Sequence, residues 1–291
     1  AQVNTVGVFG SFNIDAMGNW TYRLNNGAVN VQSLVAGQSM TETFAVSTSG
    51  GATQDILVTV NGTDDVLIGT SGAETLTGSL ITDQIFGLAG NDTLLGLGNN
   101  DTLDGGPGID IAQYAGLREH FQLTRSVSGD WTVQDRLGDE GTDGLHDIER
   151  LRFSDLKIAL DLNPNENGGL ALEFLGVLAP ELINAPSVVG TILNRLDQGS
   201  SLQGLFQLAL DLGLVDQLAG ANTSAAIAQM VFRNVIGEQP DALTTDRLVS
   251  FMDGRAASFS QAEFLTVIAG LEVNQTHIGL IGLQQTGVAF L

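Results

Sequence analysis

The sequence contains no cysteine and only one lysine, Lys157. Without cysteine, neither disulfides nor thiolate metal sites can hold the fold together. The 11 Lys and Arg residues face 33 Asp and Glu residues, which gives a formal net charge of -22. A surface of this charge repels nucleic acid and anionic membranes, and it attracts cations. We therefore expect cations, and no nucleic acid, among the partners of this chain.

Long apolar runs are also missing, because Gly, Asp or Asn interrupts the longest of them. The sequence therefore predicts no transmembrane segment, and no N-terminal signal peptide is recognisable. Neither the His-Glu-x-x-His motif of zinc proteases nor the Gly-x-Ser-x-Gly elbow of lipases occurs. Two of the three histidines, His120 and His146, are expected to lie on the cap region that follows the repeats and to have no catalytic role. We expect this chain not to be an enzyme.

Residues 1–63 have the two-residue alternation of β-strands. The apolar sets are Phe12 and Ile14; Trp20, Tyr22 and Leu24; Phe44 and Val46; and Ile56, Val58 and Val60. Asn26-Gly27 and Gly50-Gly51 fall between these sets, where turns are needed. The pattern predicts a small antiparallel β-sandwich.

The second half of the chain has a different texture. Residues 159–182 are interpreted as a connector, because Asn163-Pro164-Asn165 breaks regular structure. Residues 183–291 show helical spacing and helix-capping residues, including Ser260 with Glu263 in a capping box. This region is predicted to be a bundle of several short helices.

A repeat of nine residues dominates the region between these parts. Glycine recurs at Gly69, Gly78, Gly87, Gly96 and Gly105. An acid follows five residues later, at Glu74, Asp83, Asp92, Asp101 and Asp110, and Asp65 extends the register upstream. Two residues after each acid comes an apolar residue: Leu67, Leu76, Ile85, Leu94, Leu103 and Ala112. This spacing predicts glycine turns that carry a carboxylate, joined by short strands with an inward apolar side chain.

If two nonapeptides form one coil, units two apart stack and the acids form two columns. The first column holds Glu74, Asp92 and Asp110, and the second holds Asp65, Asp83 and Asp101. Stacked strands lie about 4.8 Å apart, where two bare carboxylates repel by roughly 3–4 kcal/mol at an effective dielectric constant of about 20. No Lys or Arg occurs between Arg23 and Arg118 to offset this repulsion. Calcium does so with carboxylate and carbonyl ligands, and we expect the roll to need calcium to fold.

The predicted calcium ligands are the acids and the turn residues of both columns: Asp65, Gly69, Gly72, Glu74, Asp83, Gly87, Gly90, Asp92, Gly96, Asn99, Asp101, Gly105, Gly108 and Asp110. The first column ranks higher, because Ile81 and Asn99 replace a glycine of each turn in the second. Glu74 is longer than Asp and is expected to bind less well. The alternatives are a metal-free solenoid and a disordered acidic linker.

Residues 64–158 resemble haemolysin-type, or RTX, calcium-binding repeats followed by a capping hairpin. The cap is represented by Tyr114-Ala115-Gly116, Phe121 to Leu123, Trp131 to Asp135, Gly141 to Leu145 and Leu151 to Asp155. Within it, Asp135, Asp139 and Asp143 are interpreted as solvated loop charges, with a further calcium site as the alternative.

Two other resemblances cover most of the remaining chain. Residues 7–63 resemble a VCBS repeat, an immunoglobulin-like unit of large bacterial surface proteins. The matching segments are Gly10-Ser11-Phe12, Gly18 to Tyr22, Val31 to Leu34, Ala36-Gly37-Gln38 and Val60 to Asp65. The first strands of that repeat are missing, so either upstream sequence completes the sandwich or a neighbouring molecule supplies a strand.

The helical region resembles a domain of unknown function found at the C-terminus of type I secreted RTX proteins. Val231 to Gly237, Pro240-Asp241 and Ser260 to Phe264 carry this resemblance, with Phe251 as the nearest counterpart of its aromatic position. The resemblance implies an uncleaved C-terminal secretion signal, with which the tail Val288 to Leu291 is compatible.

Together these features predict a partial immunoglobulin-like sandwich at 1–63, a parallel calcium β-roll with its cap at 64–158, a connector at 159–182 and a helical bundle at 183–291. The implied function is that of an extracellular adhesin, surface-layer or fibre subunit. It would fold on calcium after type I secretion, self-associate, and contact a cell-surface or glycan ligand. The alternative is the non-catalytic C-terminal module of a secreted hydrolase or epimerase.

Overall fold

The computed structural model describes residues 2–32, 34, 38–48, 50–63, 65–254 and 260–291. Strands come first, a coiled parallel region follows, and helices occupy most of the second half. Four residues of the VCBS-like pattern, Ser33, Ala36, Gly37 and Asp64, lie outside the described residues.

The N-terminal region consists of two small antiparallel sheets. Their elements are β1 (Gln2–Val6), β2 (Gly10–Ile14), β3 (Trp20–Leu24), the short helix α1 (Val29–Gln32), β4 (Ser39–Ser47) and β5 (Thr53–Asn61). Strands β1, β2 and β3 form one sheet, and β4 and β5 form the other. The ring of Phe12 stacks on that of Phe44 with centroids 4.7 Å apart, so apolar faces of the two sheets meet.

The nine-residue repeat forms two parallel ladders that face each other. The first contains β6 (Asp65–Ile68), β8 (Asp83–Phe86), β10 (Thr102–Asp104) and β14 (Thr142–His146). The second contains β7 (Thr75–Thr77), β9 (Thr93–Leu95), β11 (Ile111–Gln113) and β15 (Arg150–Arg152). The side chains between the ladders are at most 2% exposed at Ile85, Leu94, Leu103, Ala112, Leu145 and Leu151. One inward side chain per repeat therefore builds the core of the roll.

An antiparallel cap covers the C-terminal end of the roll. Strands β12 (Phe121–Arg125) and β13 (Trp131–Asp135) extend the first sheet, and β16 (Lys157–Ala159) and β17 (Val288–Phe290) extend the second. A 3-10 turn, Arg118–His120, precedes β12. Buried aromatic side chains close the apolar interior at Tyr114, Phe121, Trp131 and Phe153. The cap thus covers apolar surface and strand edges that an open roll end would expose.

Helices form the largest apolar core. They are α2 (Asn167–Leu178), α3 (Pro186–Asp197), α4 (Leu202–Asp211), α5 (Leu214–Ala219), α6 (Ser224–Ile236), α7 (Ala242–Asp253), α8 (Gln261–Ala269), α9 (Glu272–His277) and α10 (Leu280–Leu283), with a 3-10 helix at Pro180–Asn184. The predicted capping box is present, with Ser260 and Glu263 each bonding the backbone N–H of the other.

The region predicted as a connector, residues 159–182, differs from that prediction. It contains α2, in which ten of twelve residues are buried. A helix buried on nearly every face has no amphipathic period, so the sequence pattern does not reveal it. Gly176 lets α9 approach closely, because a Cβ at this position would lie 2.5 Å from the Asn274 side-chain oxygen.

Candidate calcium sites

The turns of the roll place the repeated acids in two stacks, each beside one end of the strands. Glu74, Asp92 and Asp110 form the first stack. In the second stack, Asp65 pairs directly with Asp83 in the parallel ladder, and Asp101 follows at the next coil. The structure therefore brings together the acids that the nine-residue spacing assigned to each column.

A ladder of hydrogen bonds fixes the spacing between successive acids. One carboxylate oxygen of Asp92, Asp101 and Asp110 accepts the backbone N–H of the acid 18 residues earlier. The N···O distances are 2.9 Å from Glu74 to Asp92, 2.7 Å from Asp92 to Asp110, and 2.8 Å from Asp83 to Asp101. This pairing uses Oδ1 of each acceptor and leaves Oδ2 for another interaction.

The second carboxylate oxygens show that a cation fits these stacks. Among the described residues, Oδ2 of Asp92, Asp101 and Asp110 is buried and has no hydrogen-bond partner. A buried oxygen without a partner loses its hydration and gains nothing in return, at a cost of about 1–3 kcal/mol or more when charged. A divalent cation offsets this cost for several carboxylates at once.

Backbone carbonyls supply the other type of ligand that calcium prefers. The carbonyl oxygen of Gly105 approaches Gly87 so closely that a Cβ there would lie 2.8 Å from it and 2.7 Å from Asp92 Oδ2. The same approach occurs at Gly78, which faces the Gly96 carbonyl and Asp83 Oδ2. Glycine is therefore required at the first turn position, because any side chain would fill the space beside these oxygens.

The remaining predicted ligands lie in the same turns. Gly72, Gly90 and Gly108 stack closely on one another in the first column, as Gly69 does on Gly87. Asn99 takes a glycine position of the second column with φ of 70°, a left-handed conformation that Asn tolerates. Glu74 and Asp83 each also accept an N–H within their own turn, Glu74 Oε1 from Thr70 and Asp83 Oδ2 from Ser79 at 2.7 Å.

Each column ends on an acid that belongs to the cap. The N–H of Asp101 donates to Asp143 Oδ1 at 2.9 Å, and the N–H of Asp110 donates to Glu149 Oε2 at 2.8 Å. The interpretation of Asp143 as a solvated loop charge is wrong, because this residue is 2% exposed and continues the second column. Asp139 is exposed, and Asp135 caps its own loop by accepting the N–H groups of Leu137 and Gly138.

Burial and neighbouring negative charge raise the pKa of these carboxyl groups. Burial raises the pKa of Asp101 and of Asp110 to about 6. Burial likewise raises the pKa of Asp143 and of Glu149 to about 7, and the charge of the facing acid adds to the effect. Desolvation thus disfavours the charged form that a calcium ion stabilises.

These pKa values predict a pH dependence that differs with and without calcium. Unfolded carboxyl groups titrate near pH 4, so between about pH 4 and 7 the folded metal-free roll binds more protons than the unfolded chain. In EDTA the folded fraction of the roll is therefore expected to rise as the pH falls from 7.5 to 5. In calcium, the apparent affinity is expected to fall over the same interval, because protons compete for the ligands. Circular dichroism in EDTA and calcium titrations, each at both pH values, measure both trends. A roll that loses stability in EDTA on acidification would contradict the assignment.

A second cluster lies outside the columns. Asp104, His146 and Asp147 each offer one ligand atom, and these atoms lie within 4.8 Å of one another. His146 Nδ1 is 3.2 Å from Asp147 Oδ2, and both side chains are more than half exposed. The sequence reading did not identify this cluster.

Comparison with known proteins bears on the repeats alone. Residues 77–112 match the family profile of the RTX calcium-binding nonapeptide repeat, in four copies. This segment consists of RTX repeats. It binds calcium. No curated protein matches the chain.

One of the solved structures that match shows similarity to part of the chain. It is the solution structure of the AlgE6R3 subunit of the mannuronan C5-epimerase of Azotobacter vinelandii. The two chains are 24% identical, and the similarity covers 28% of this chain and 70% of that chain with a TM-score of 0.21. A TM-score this low supports no conclusion about activity.

Sequence reasoning missed Glu149 and underrated Asp143 as members of the RTX columns. Glu149 has no repeat signal, because the turn before β15 is shorter than a repeat turn and begins at Asp147. Asp143 does have a signal, since Gly138 and Gly141 precede it at the repeat spacing.

Proposed function

We propose that this chain is a module of an extracellular bacterial structural or adhesive protein, and that calcium binding folds its RTX roll. The observation that carries the proposal is the pair of acid columns with buried, unpartnered oxygens at Asp92, Asp101 and Asp110. Such columns oppose folding without a cation and favour it with one.

The surroundings of the columns support calcium over a protein cation as the partner. No Lys or Arg lies between Arg23 and Arg118 in the sequence. Hard oxygen ligands from carboxylates and carbonyls are the ligands that calcium takes in proteins. Extracellular modules bind calcium with Kd values of about 10⁻⁴–10⁻³ M. A roll in this range would stay unfolded where calcium is scarce and fold outside the cell.

The N-terminal sheets support a role in assembly. Within the described residues, β4 and β5 hydrogen-bond only to each other in their sheet, so each strand has one open edge. Open edges accept a strand from another chain by β-augmentation. We propose that self-association through this region produces a fibre or surface layer, and that secretion follows the type I route. In the described part of the chain, no helix has both the length and the apolar character needed to cross a bilayer.

The second candidate is a non-catalytic calcium module of a secreted hydrolase or epimerase. This second candidate is favoured because RTX repeats bind calcium and do not catalyse. In that case the roll would stabilise or export another domain and would not assemble.

Light scattering and circular dichroism during a calcium titration separate the two candidates. The structural role predicts a cooperative gain of β signal together with growth in particle size, and both changes reverse in EDTA. A chain that gains β signal but remains monomeric supports the calcium module of the second candidate and excludes the fibre subunit. A chain without any calcium response contradicts both.

A further inference from the structure

The loop before β14 has the spacing of an RTX unit although it lies outside the tandem repeats. Gly138, Gly141, Asp143 and Leu145 stand at the first, fourth, sixth and eighth positions of a nonapeptide, residues 138–146. The same positions are Gly87, Gly90, Asp92 and Leu94 in a tandem unit. The profile match ends at residue 112, so it does not include this segment.

In the register of the parallel ladder, this segment is the next coil of the roll. Strand β14 pairs in parallel with β10, with Leu103 opposite Leu145. Leu145 is buried between the ladders, as Ile85, Leu94, Leu103 and Ala112 are in the tandem units. The acid-to-acid hydrogen bond is also kept, from the N–H of Asp101 to Asp143 Oδ1, but it spans 42 residues and not 18. The hairpin of β12 and β13 is thus an insertion between two units that stack as neighbours.

The turn of this unit stacks as a tandem turn does. Gly141 has φ of 73°, and a Cβ on it would collide with the carbonyl oxygen of Asn99. Gly108 meets the carbonyl oxygen of Gly90 in the same way one column over. The N–H of Asn99 donates to the Asp139 carbonyl at 3.2 Å. The glycine at the fourth position therefore meets the equivalent carbonyl in the displaced unit and in the tandem units.

The carboxylate of Asp101, which faces Asp143, keeps a buried oxygen that no hydrogen bond satisfies. Asp101 Oδ2 is buried without a hydrogen-bond partner, and Asp101 and Asp143 are only 3% and 2% exposed. Asp143 is faced by Asp101 and Glu140, which are both negative, and by the neutral hydroxyl of Tyr114. From this geometry we propose that residues 138–146 are a displaced RTX unit and that Asp101 and Asp143 share a calcium ion.

This inference rests on the proposed calcium function and adds a consequence to it. A calcium ion held between Asp101 and Asp143 joins the last tandem unit of the first ladder to the cap. The cap strands β12 and β13 hydrogen-bond to β14 in the order β12-β13-β14. Calcium binding at this position would therefore dock the cap onto the roll in the same step that orders the repeats.

Counting bound calcium by native mass spectrometry tests the site. The Asp143→Asn variant keeps an oxygen for the Asp101 N–H but loses the charge, and we expect it to bind one calcium ion fewer than the unmodified chain. Asp139→Asn is the matched control, because this exposed acid lies in the same loop and its side chain is outside the column. It is expected to keep the full count. An unchanged count in Asp143→Asn, together with normal calcium-dependent folding, overturns the inference and leaves the proposed function intact.

If Asp143→Asn does not fold, hydrogen exchange of the unmodified chain provides a second test. Hydrogen exchange is followed at β10 and β14 as calcium is added to the EDTA-treated protein. The inference predicts that both strands gain protection at the same calcium concentration. Protection of β10 without β14 overturns the inference, whereas the absence of any calcium response contradicts the proposed function itself.

Discussion

Replacing Asp92 by Asn is expected to weaken calcium binding to the roll by at least about tenfold, which corresponds to about 1.4 kcal/mol. Asp92 lies in the middle of the first column, between Glu74 and Asp110. Its Oδ1 accepts the Glu74 N–H, and its buried Oδ2 is left for a cation. An Asn side chain keeps the first interaction, but it removes the negative charge that the ion requires.

Isothermal titration calorimetry of calcium binding measures this effect. Asp211→Asn is the matched control, because Asp211 is an exposed acid at the end of α4 whose loss changes the net charge by the same amount. Equal calcium affinities in the two variants would remove the first column from the candidate site. A loss confined to Asp92→Asn supports the column as a set of calcium ligands.

Replacing Arg150 by Ala is expected to lower the free energy of unfolding by about 3–5 kcal/mol, the usual cost of breaking a buried ion pair. Arg150 lies on β15 and is 3% exposed. Its guanidinium pairs with Asp161 and, at 2.9 Å, with Asp197 at the end of α3. Asp161 also accepts the N–H of Gly168 in the first turn of α2. The ion pair therefore connects a strand of the roll to two helices, and its loss leaves Asp161 buried without a counter-charge.

Urea denaturation in saturating calcium measures the loss. Arg152→Ala is the control, because Arg152 lies on the same strand but bonds the uncharged Gln113 side chain at 3.1 Å. Its replacement is expected to cost about 1 kcal/mol. If both variants lose the same stability, the ion pair does not connect the roll to the helices in the way the structure suggests.

The roll was predictable because its signal is local and repeated. Each unit carries its own turn glycine, acid and inward apolar residue, so the register of Leu94 against Leu76 follows from counting residues. The stacking of units two apart follows from the same count of residues. The acid columns of the candidate site follow from the same spacing.

The ends of the columns break the interval between units, although Asp143 keeps the glycine spacing within its own unit. Asp143 returns to the roll after an inserted hairpin, and Glu149 follows a shortened turn, so neither keeps the interval of the tandem units. Their membership depends on the pairing of β14 with β10 and of β15 with β11, which is a tertiary contact. Helix α2 was missed for a related reason, since its burial on all sides erases the polar face by which a helix is recognised.

Hydrogen exchange of the roll with calcium and with EDTA tests the central claim most directly. The measurement follows the amides of β7, β9 and β11, which directly follow the acids of the first column. It also follows those of α4 and α8 in the separate helical core. The account predicts slow exchange of the roll amides in calcium and fast exchange in EDTA, with the helical amides slow in both. Slow exchange of the roll amides in EDTA at neutral pH would contradict it, because the acid columns would then fold without a cation.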